Sequence, residues 1–481
     1  MGPAMPPGPS TRRTPFAGLL AWVLAWGIGW MAPPGGIAGE VAHRPAPSAL
    51  TAQGRPRLGD SALIREVQRR TFLYFWEGAE PHSGAARERF HLDGDYPDHD
   101  AHIVTSGGTG FGVMALLVGI ERGFITRAEG AERLTRIVGF LEGADRFHGV
   151  WPHWLEGPTG RVKPFSRNDD GGDLVETSFL VQGLLCVRQY FRDGTPAERA
   201  LAERIDRLWR GVEWDWYQRG GQNVLHWHWS PRHGWAMNFP IEGYNECLIT
   251  YVLAAASPTH PIPAAAYHEG WARGGRIRNG AHGPEPESGP RRQSHLELRH
   301  QGDARLGGPL FWSHYSFLGL DPRGLRDAYA DYWRHNVQHT RINLQHCIDN
   351  PHGYRGYGPQ CWGLTAGYSV GFYAAHRPGE DLGVISPTAA LSSMPYTPRE
   401  SLRALRHFHD DLGSWIFGPY GFYDGFSLHH RWCKPWYLAI DQGPIVVMLE
   451  NHRTGLLWRL FMSCPEVQTG LDRLGFRHRR P

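Results

Sequence analysis

The chain has 481 residues, and its 50 Lys and Arg against 47 Asp and Glu leave a formal net charge of +3. That near balance creates no field strong enough to hold a polyanion or an anionic membrane, so nucleic acid is excluded as a partner and a neutral ligand fits better. Hydrophobic residues make up 41% of the chain, enough for one large core, and the six scattered cysteines form no CxxC pair, which indicates neither a zinc site nor a disulfide framework.

From the start of the chain, Arg12 and Arg13 precede the apolar run Phe16 to Met31, followed by small residues at Gly36, Ala38 and Gly39. This is the layout of a secretory signal over 1–38, and it predicts a periplasmic or secreted body with no membrane contact beyond the signal. An uncleaved anchor is the rival reading, although an apolar run of about sixteen residues is short for a bilayer. Residues 39–59, rich in Pro, Ala and Arg, read as a flexible lead-in.

The body, 60–481, reads as one all-α domain, because helical segments alternate with glycine- and aromatic-rich loops and no run shows strand alternation. Thr126 with Glu129, Thr195 with Glu198 and Thr397 with Glu400 have capping-box spacing, the last two with Pro at the first helical position. Asp321 before Pro322 predicts another start. With the apolar stretches around Phe72, Met114, Leu180, Leu248, Trp362 and Val446, these predict about ten to twelve helices. Residues 268–307, rich in Gly, Arg, Pro and Glu, read as a poorly ordered surface insertion. No repeat at a fixed period supports a solenoid.

Twenty Trp residues exceed ordinary usage, and many lie in Gly- and His-rich stretches such as Trp151 to Trp154 and His226 to Trp235. Core packing accounts for many single tryptophans, but flat aromatic faces also stack on sugar rings. Acids concentrate at one helix mouth, where Asp169, Asp170, Asp173 and Glu176 fall within eight residues. Asp173 and Glu176 have capping-box spacing, whereas Asp169 and Asp170 precede two glycines that let the backbone approach a ligand. A second cluster holds Glu242 and Glu246, four apart and able to share a helix face, with Glu246 directly before an apolar helical run. A carboxyl among apolar neighbours resists ionisation and suits a general acid. Glycosidic cleavage needs one carboxyl to protonate the leaving oxygen and another to activate water or attack. His226, His228, His429 and His430 show no HExxH or comparable ligand spacing, so no metal site is predicted.

Several strings resemble the glucoamylase-like family, which includes glycoside hydrolase family 144 with its bacterial β-1,2-glucanases and a domain of cyclic β-1,2-glucan synthases. They are Asp169 to Phe179, Gly243 to Glu246, Gly308 to Pro322, Trp362 to Ala366, Ser386 to Tyr396, Ala439 to Ile445 and Glu450 to Trp458. The resemblance implies an (α/α)6 toroid and inverting endo-hydrolysis of β-1,2-glucan with no metal or cofactor. Carried over by position, it implies catalytic roles for Asp169, Asp173 and Glu246, with Glu246 as the general acid and Asp441 as a further contributor. Candidate substrate-binding residues are Trp151, Trp154, Tyr244, Trp312, His314, Trp362 and Asp441. The expected partner is a glucan oligosaccharide or polysaccharide, and a monomer is expected. One departure stands out: many family members continue the Trp-Gly-Leu-Thr-Ala string with Ser-Asp-Gly, whereas Gly367, Tyr368 and Ser369 follow here. Two other readings are a polysaccharide lyase using Tyr and His, and a glucan-binding protein without catalysis.

Overall fold

The computed structural model describes residues 57–279, 295–300 and 306–479. The expected secretory signal, the expected lead-in up to residue 56 and the interior of the insertion lie outside the described residues.

Thirteen α-helices stand among the described residues. They are α1 (Asp60–Trp76), α2 (Ser106–Glu121), α3 (Arg127–Gly143), α4 (Leu174–Phe191), α5 (Pro196–Arg210), α6 (Leu248–Ala256) and α7 (Tyr332–Asp349), then α8 (Pro387–Leu391), α9 (Pro398–Arg406), α10 (Gly413–Ile416), α11 (Ala439–Arg453), α12 (Leu456–Met462) and α13 (Pro465–Arg473). Helices α2, α4, α6, α8 and α11 are buried along nearly their whole length, as expected of helices covered on both sides. They form an inner ring in which α2 packs on α4, α4 on α6, α8 on α11 and α11 on α2. Between α6 and α8 the ring is continued by the short 3-10 turns Leu310–Ser313 and Tyr315–Phe317. The outer layer comprises α1, α3, α5, α13, α7 and α9, each backing a neighbouring inner segment. Helix α5 shows the outer pattern, burying Leu201, Ala202, Ile205, Leu208 and Trp209 along one stripe. Six inner and six outer segments make the (α/α)6 toroid.

Small residues let the inner helices close up. A Cβ at Gly110 would lie 2.2 Å from the Phe179 carbonyl oxygen, and one at Gly183 would lie 2.1 Å from the Gly110 carbonyl oxygen, so α2 and α4 touch backbone to backbone.

The loops carry strands that sequence alternation could not reveal, because each has only two or three residues. They are β1 (Arg89–His91), β2 (Ile103–Thr105), β3 (Trp154–Glu156), β4 (Val162–Lys163), β5 (Gly172–Asp173), β6 (His228–Trp229), β7 (Ala366–Tyr368), β8 (Tyr373–Ala375), β9 (Phe417–Gly418), β10 (Gly421–Phe422), β11 (Phe426–Ser427), β12 (Trp432–Cys433) and β13 (Trp436–Leu438). All their pairings are antiparallel.

Several local expectations are corrected. The boxes at Thr126 and Thr195 form with both reciprocal bonds, but Thr397 makes no cap bond because its hydroxyl turns to the Ser393 carbonyl and the Ser401 hydroxyl. No helix follows Pro322, since the Asp321 carboxylate is spent on the Arg323 amide at 2.9 Å and on its guanidinium. The Trp362 stretch is not helical; Asn343 pins it by accepting from the Leu364 amide at 3.0 Å. The ends of the 268–307 insertion are core rather than surface, with Trp271, Leu296 and Leu298 fully buried and His300 bridged to Tyr244. All six cysteines are free thiols.

Candidate active site

The acidic mouth of α4 is built by the β5–β6 pairing, in which Gly172 faces Trp229 and Asp173 faces His228. The two glycines before Asp173 serve this pairing rather than a ligand: a Cβ at Gly171 would strike the Trp229 carbonyl, and one at Gly172 the Tyr217 hydroxyl. Asp173 caps α4, its Oδ1 accepting from the Val175 and Glu176 amides at 3.0 and 2.9 Å. Glu176 does not complete a capping box. Its Oε2 instead reaches α2 and accepts from the Gly107 amide at 2.8 Å and the Thr105 hydroxyl at 3.3 Å.

On the other side of Asp173, Oδ2 lies 3.2 Å from His153 Nδ1 and 3.6 Å from His228 Nε2, and His228 Nε2 lies 3.4 Å from Asp169 Oδ2. Burial would depress the His153 imidazole, but Glu176, Asp173 and Glu88 outweigh it and push it up to about 10, so it is a cation at neutral pH. Burial opposes ionisation of Asp173 too, yet His153, His228 and the Glu176 amide together hold it below the usual carboxylate value. Asp169 moves the other way: burial raises it, with Asp173 and Asp170 adding, against His228 and His153. Burial, Asp173 and Glu88 lift Glu176 to about 7. One cation and one firmly ionised carboxylate thus stand among acids that retain protons more readily.

Glu246 lies in the turn before α6, not on a shared helix face with Glu242, whose carboxylate is 3.6 Å from Arg273 at the surface. The Glu246 backbone is held by Ser316, whose hydroxyl donates to the Glu246 carbonyl and accepts from the Ile249 amide. Its side chain is buried, and burial, with Glu176 and Asp173 adding, pushes it up to about 8. The two acidic clusters of the sequence thus act on one another, with Glu246 pushed up to about 8 and Asp173 held below the usual carboxylate value.

A third acidic group sits at the start of α11. Asp441 and Asp424 face each other carboxyl to carboxyl with Glu88 nearby, and Asp441 is only 1% exposed. Burial and this like-charge contact hold Asp441 far above the carboxylate range, while Asp424, which also accepts from the Tyr368 amide, is raised to about 6. Beyond the Asp424 carboxyl, neither Asp441 oxygen has a hydrogen-bond partner among the described residues.

The other candidates divide. Trp154, in β3, packs beside His153 and Phe165 with the Arg89 guanidinium over its ring, so it walls the site. Trp312 is buried against His300. Trp151 is corrected to a core residue: fully buried, it donates its indole N–H to the Leu141 carbonyl at 3.2 Å, while its own carbonyl accepts from the Asp173 amide. Tyr244 is likewise core, its hydroxyl spent on the Trp312 carbonyl and Asn343's helix neighbour Asn336, each at 3.2 Å. His314 is scaffold, bonded to the Ser393 hydroxyl at 2.9 Å and held neutral by burial. Trp362 is fully buried in a hydrophobic cluster with Leu310, Leu364, Ile385 and Ala389.

Sequence reasoning missed His153 and Glu88, passed over Asp424 and read Glu176 only as a cap. Asp424 carried the most legible signal, as a lone acid in Phe422-Tyr-Asp-Gly-Phe426. As for a cation, His153, Asp169 and Asp173 each offer one ligand atom within 4.8 Å of the others, but His153 and Asp173 already satisfy one another at hydrogen-bond distance.

Residues 238–465 match the Glycoamylase family model, described as a glucoamylase. The chain is 43% identical over 430 residues to an exo β-1,2-glucooligosaccharide sophorohydrolase (non-reducing end) of Parabacteroides distasonis, a match that covers 86% of this chain. It spans 58% of the length of that curated relative. Among solved structures it is similar to an endo-β-1,2-glucanase from Chitinophaga pinensis in complex with sophorotriose and glucose, with a TM-score of 0.84 and 62% identity over 88% of this chain and 99% of that one. An endo-β-1,2-glucanase from Talaromyces funiculosus, in complex with β-1,2-glucan, shares the fold at a TM-score of 0.63 and 11% identity, covering 87% of this chain and 91% of that one.

Proposed function

The chain belongs to the glucoamylase-like family that contains the bacterial β-1,2-glucanases, and we propose that it is an exported glycoside hydrolase that cleaves β-1,2-linked glucan internally, by acid/base catalysis with inversion. The single observation that carries the reading is the pairing of Glu246, a buried carboxyl pushed up to about 8, with the Asp169 and Asp173 cluster at the mouth of α4. Glycoside hydrolysis needs one carboxyl that keeps its proton for the leaving oxygen and a second that takes a proton from water.

In this reading Glu246 protonates the glycosidic oxygen. Asp173 has Oδ1 committed to two helix amides and Oδ2 to His153, so it orients the cluster. Asp169, less fully engaged, takes the proton from the attacking water. Asp441, protonated, donates to a sugar hydroxyl. Endo action is supported by the Chitinophaga pinensis enzyme, whose likeness spans nearly the whole of both chains, unlike that of the longer sophorohydrolase. Export is supported by the basic and apolar pattern at Arg12 to Met31.

The test is incubation of the purified body with β-1,2-, β-1,3-, β-1,4- and α-1,4-glucans, followed by mass spectrometry. Short β-1,2-linked oligosaccharides of several lengths from the first polymer alone are expected; sophorose as sole product would overturn endo action, and no product from any glucan would overturn the hydrolase reading.

A further inference from the structure

We propose that Tyr315 is a further substrate-binding residue, whose phenol hydroxyl hydrogen-bonds a sugar hydroxyl between Asp441 and Glu246; the proposal rests on the hydrolase reading above. Tyr315 is 5% exposed, and its hydroxyl has no hydrogen-bond partner among the described residues. An unmet buried hydroxyl is rare enough in a folded protein to need a reason, because it gives up water and gains nothing. Its direction is not accidental. Phe111, Phe179 and Phe311 grip the ring at centroid distances of 5.1, 5.6 and 4.9 Å, and the Tyr315 carbonyl accepts from the Gln182 amide at 3.0 Å.

The residues on either side are committed to scaffold, His314 to Ser393 and Ser316 to the backbone around Glu246, which leaves Tyr315 alone in that turn with an open polar group. The acids whose charges reach it come from three elements, Asp441 from α11, Glu176 from α4 and Glu246 from the turn before α6, and Tyr373 of β8 acts on it as well. Asp441 is equally buried and, beyond the Asp424 carboxyl, has no hydrogen-bond partner among the described residues. A polyhydroxylated ring bound between these groups would satisfy the phenol, as neighbouring protein groups do not.

The test is Tyr315→Phe, which removes the hydroxyl and keeps the ring that the three phenylalanines hold. Thermal melting, kcat/KM on β-1,2-glucan and calorimetric binding of sophorotriose are measured on the whole chain. Melting no lower than wild type is expected, with kcat/KM reduced about ten- to hundredfold and sophorotriose bound more weakly, since a site built around a substrate hydroxyl loses that much when one partner goes. Wild-type kcat/KM and binding in a folded variant would overturn the proposal and leave the hydrolase reading standing. A wild-type chain that neither cleaves β-1,2-glucan nor binds sophorotriose would overturn both.

Discussion

Asp424 and Asp441 meet carboxyl to carboxyl in the interior, so the pair cannot ionise fully without two like charges in contact away from water. Asp424, lifted from 3.8 to about 6, binds its proton more tightly in the folded than in the unfolded chain. The stability this confers is present below the ordinary value and lost as pH rises through that window. Asp424→Asn is expected to flatten the dependence of the unfolding midpoint on pH between those two values, as measured by urea titration at fixed pH steps.

His153 works in the same sense, over a higher range of pH. Its imidazolium, raised from 6.5 to about 10, stabilises the fold fully below 6.5, and the stabilisation is lost as pH rises through about 10. The unfolding midpoint is therefore expected to fall across that range, and to fall less steeply in His153→Gln. Asp173, held low by the same contact, loses its contribution only in acid, so the variant, which lacks that contact, should lose less stability than the wild type as pH falls through the carboxylate range.

Glu246 sets the alkaline side of activity. Protonated below about 8, it can donate to a leaving oxygen there and not above. The profile of kcat/KM against pH is expected to fall on its basic limb near that value. A basic limb unmoved in Glu246→Asp would assign it to another group.

Gly110 and Gly183 test the ring itself. Because a Cβ at Gly110 would penetrate the Phe179 carbonyl, which belongs to backbone and cannot rotate away, Gly110→Ala forces α2 and α4 apart. A loss of about 3 kcal/mol or more is expected in chemical denaturation, at the upper end of overpacking. Thr126→Ala, which removes one cap at the surface, should cost only about 1 kcal/mol.

The all-α body was legible because helices such as α4 and α6 are apolar on every face and because the two true capping boxes mark helix starts, whereas the toroid was implied only by the family resemblance. Glu246 and the acids before α4 were legible because they interrupt apolar stretches. What could not be read was pairing across the ring. Nothing local distinguishes Trp151, whose indole is spent on Leu141, from Trp154, which walls the site. Capping-box spacing gave Glu176 a partner in its own turn, yet it bonds Gly107, far away in sequence. The β5–β6 register that sets His228 against Asp173 involves two residues per strand, too few for any period to show. Tyr368, standing where many family members carry an acid, presents its amide to Asp424, so an acid is still supplied there from the Phe422 to Phe426 segment.

The most direct measurement is steady-state hydrolysis of linear β-1,2-glucan by the wild-type chain and by Glu246→Gln, with folding of both verified by thermal melting. Release of β-1,2-linked oligosaccharides by the wild type, and a kcat about two to four orders of magnitude lower in the variant, is expected from loss of the general acid. Equal turnover by the two proteins would contradict the role of Glu246, and no turnover by either would contradict the hydrolase.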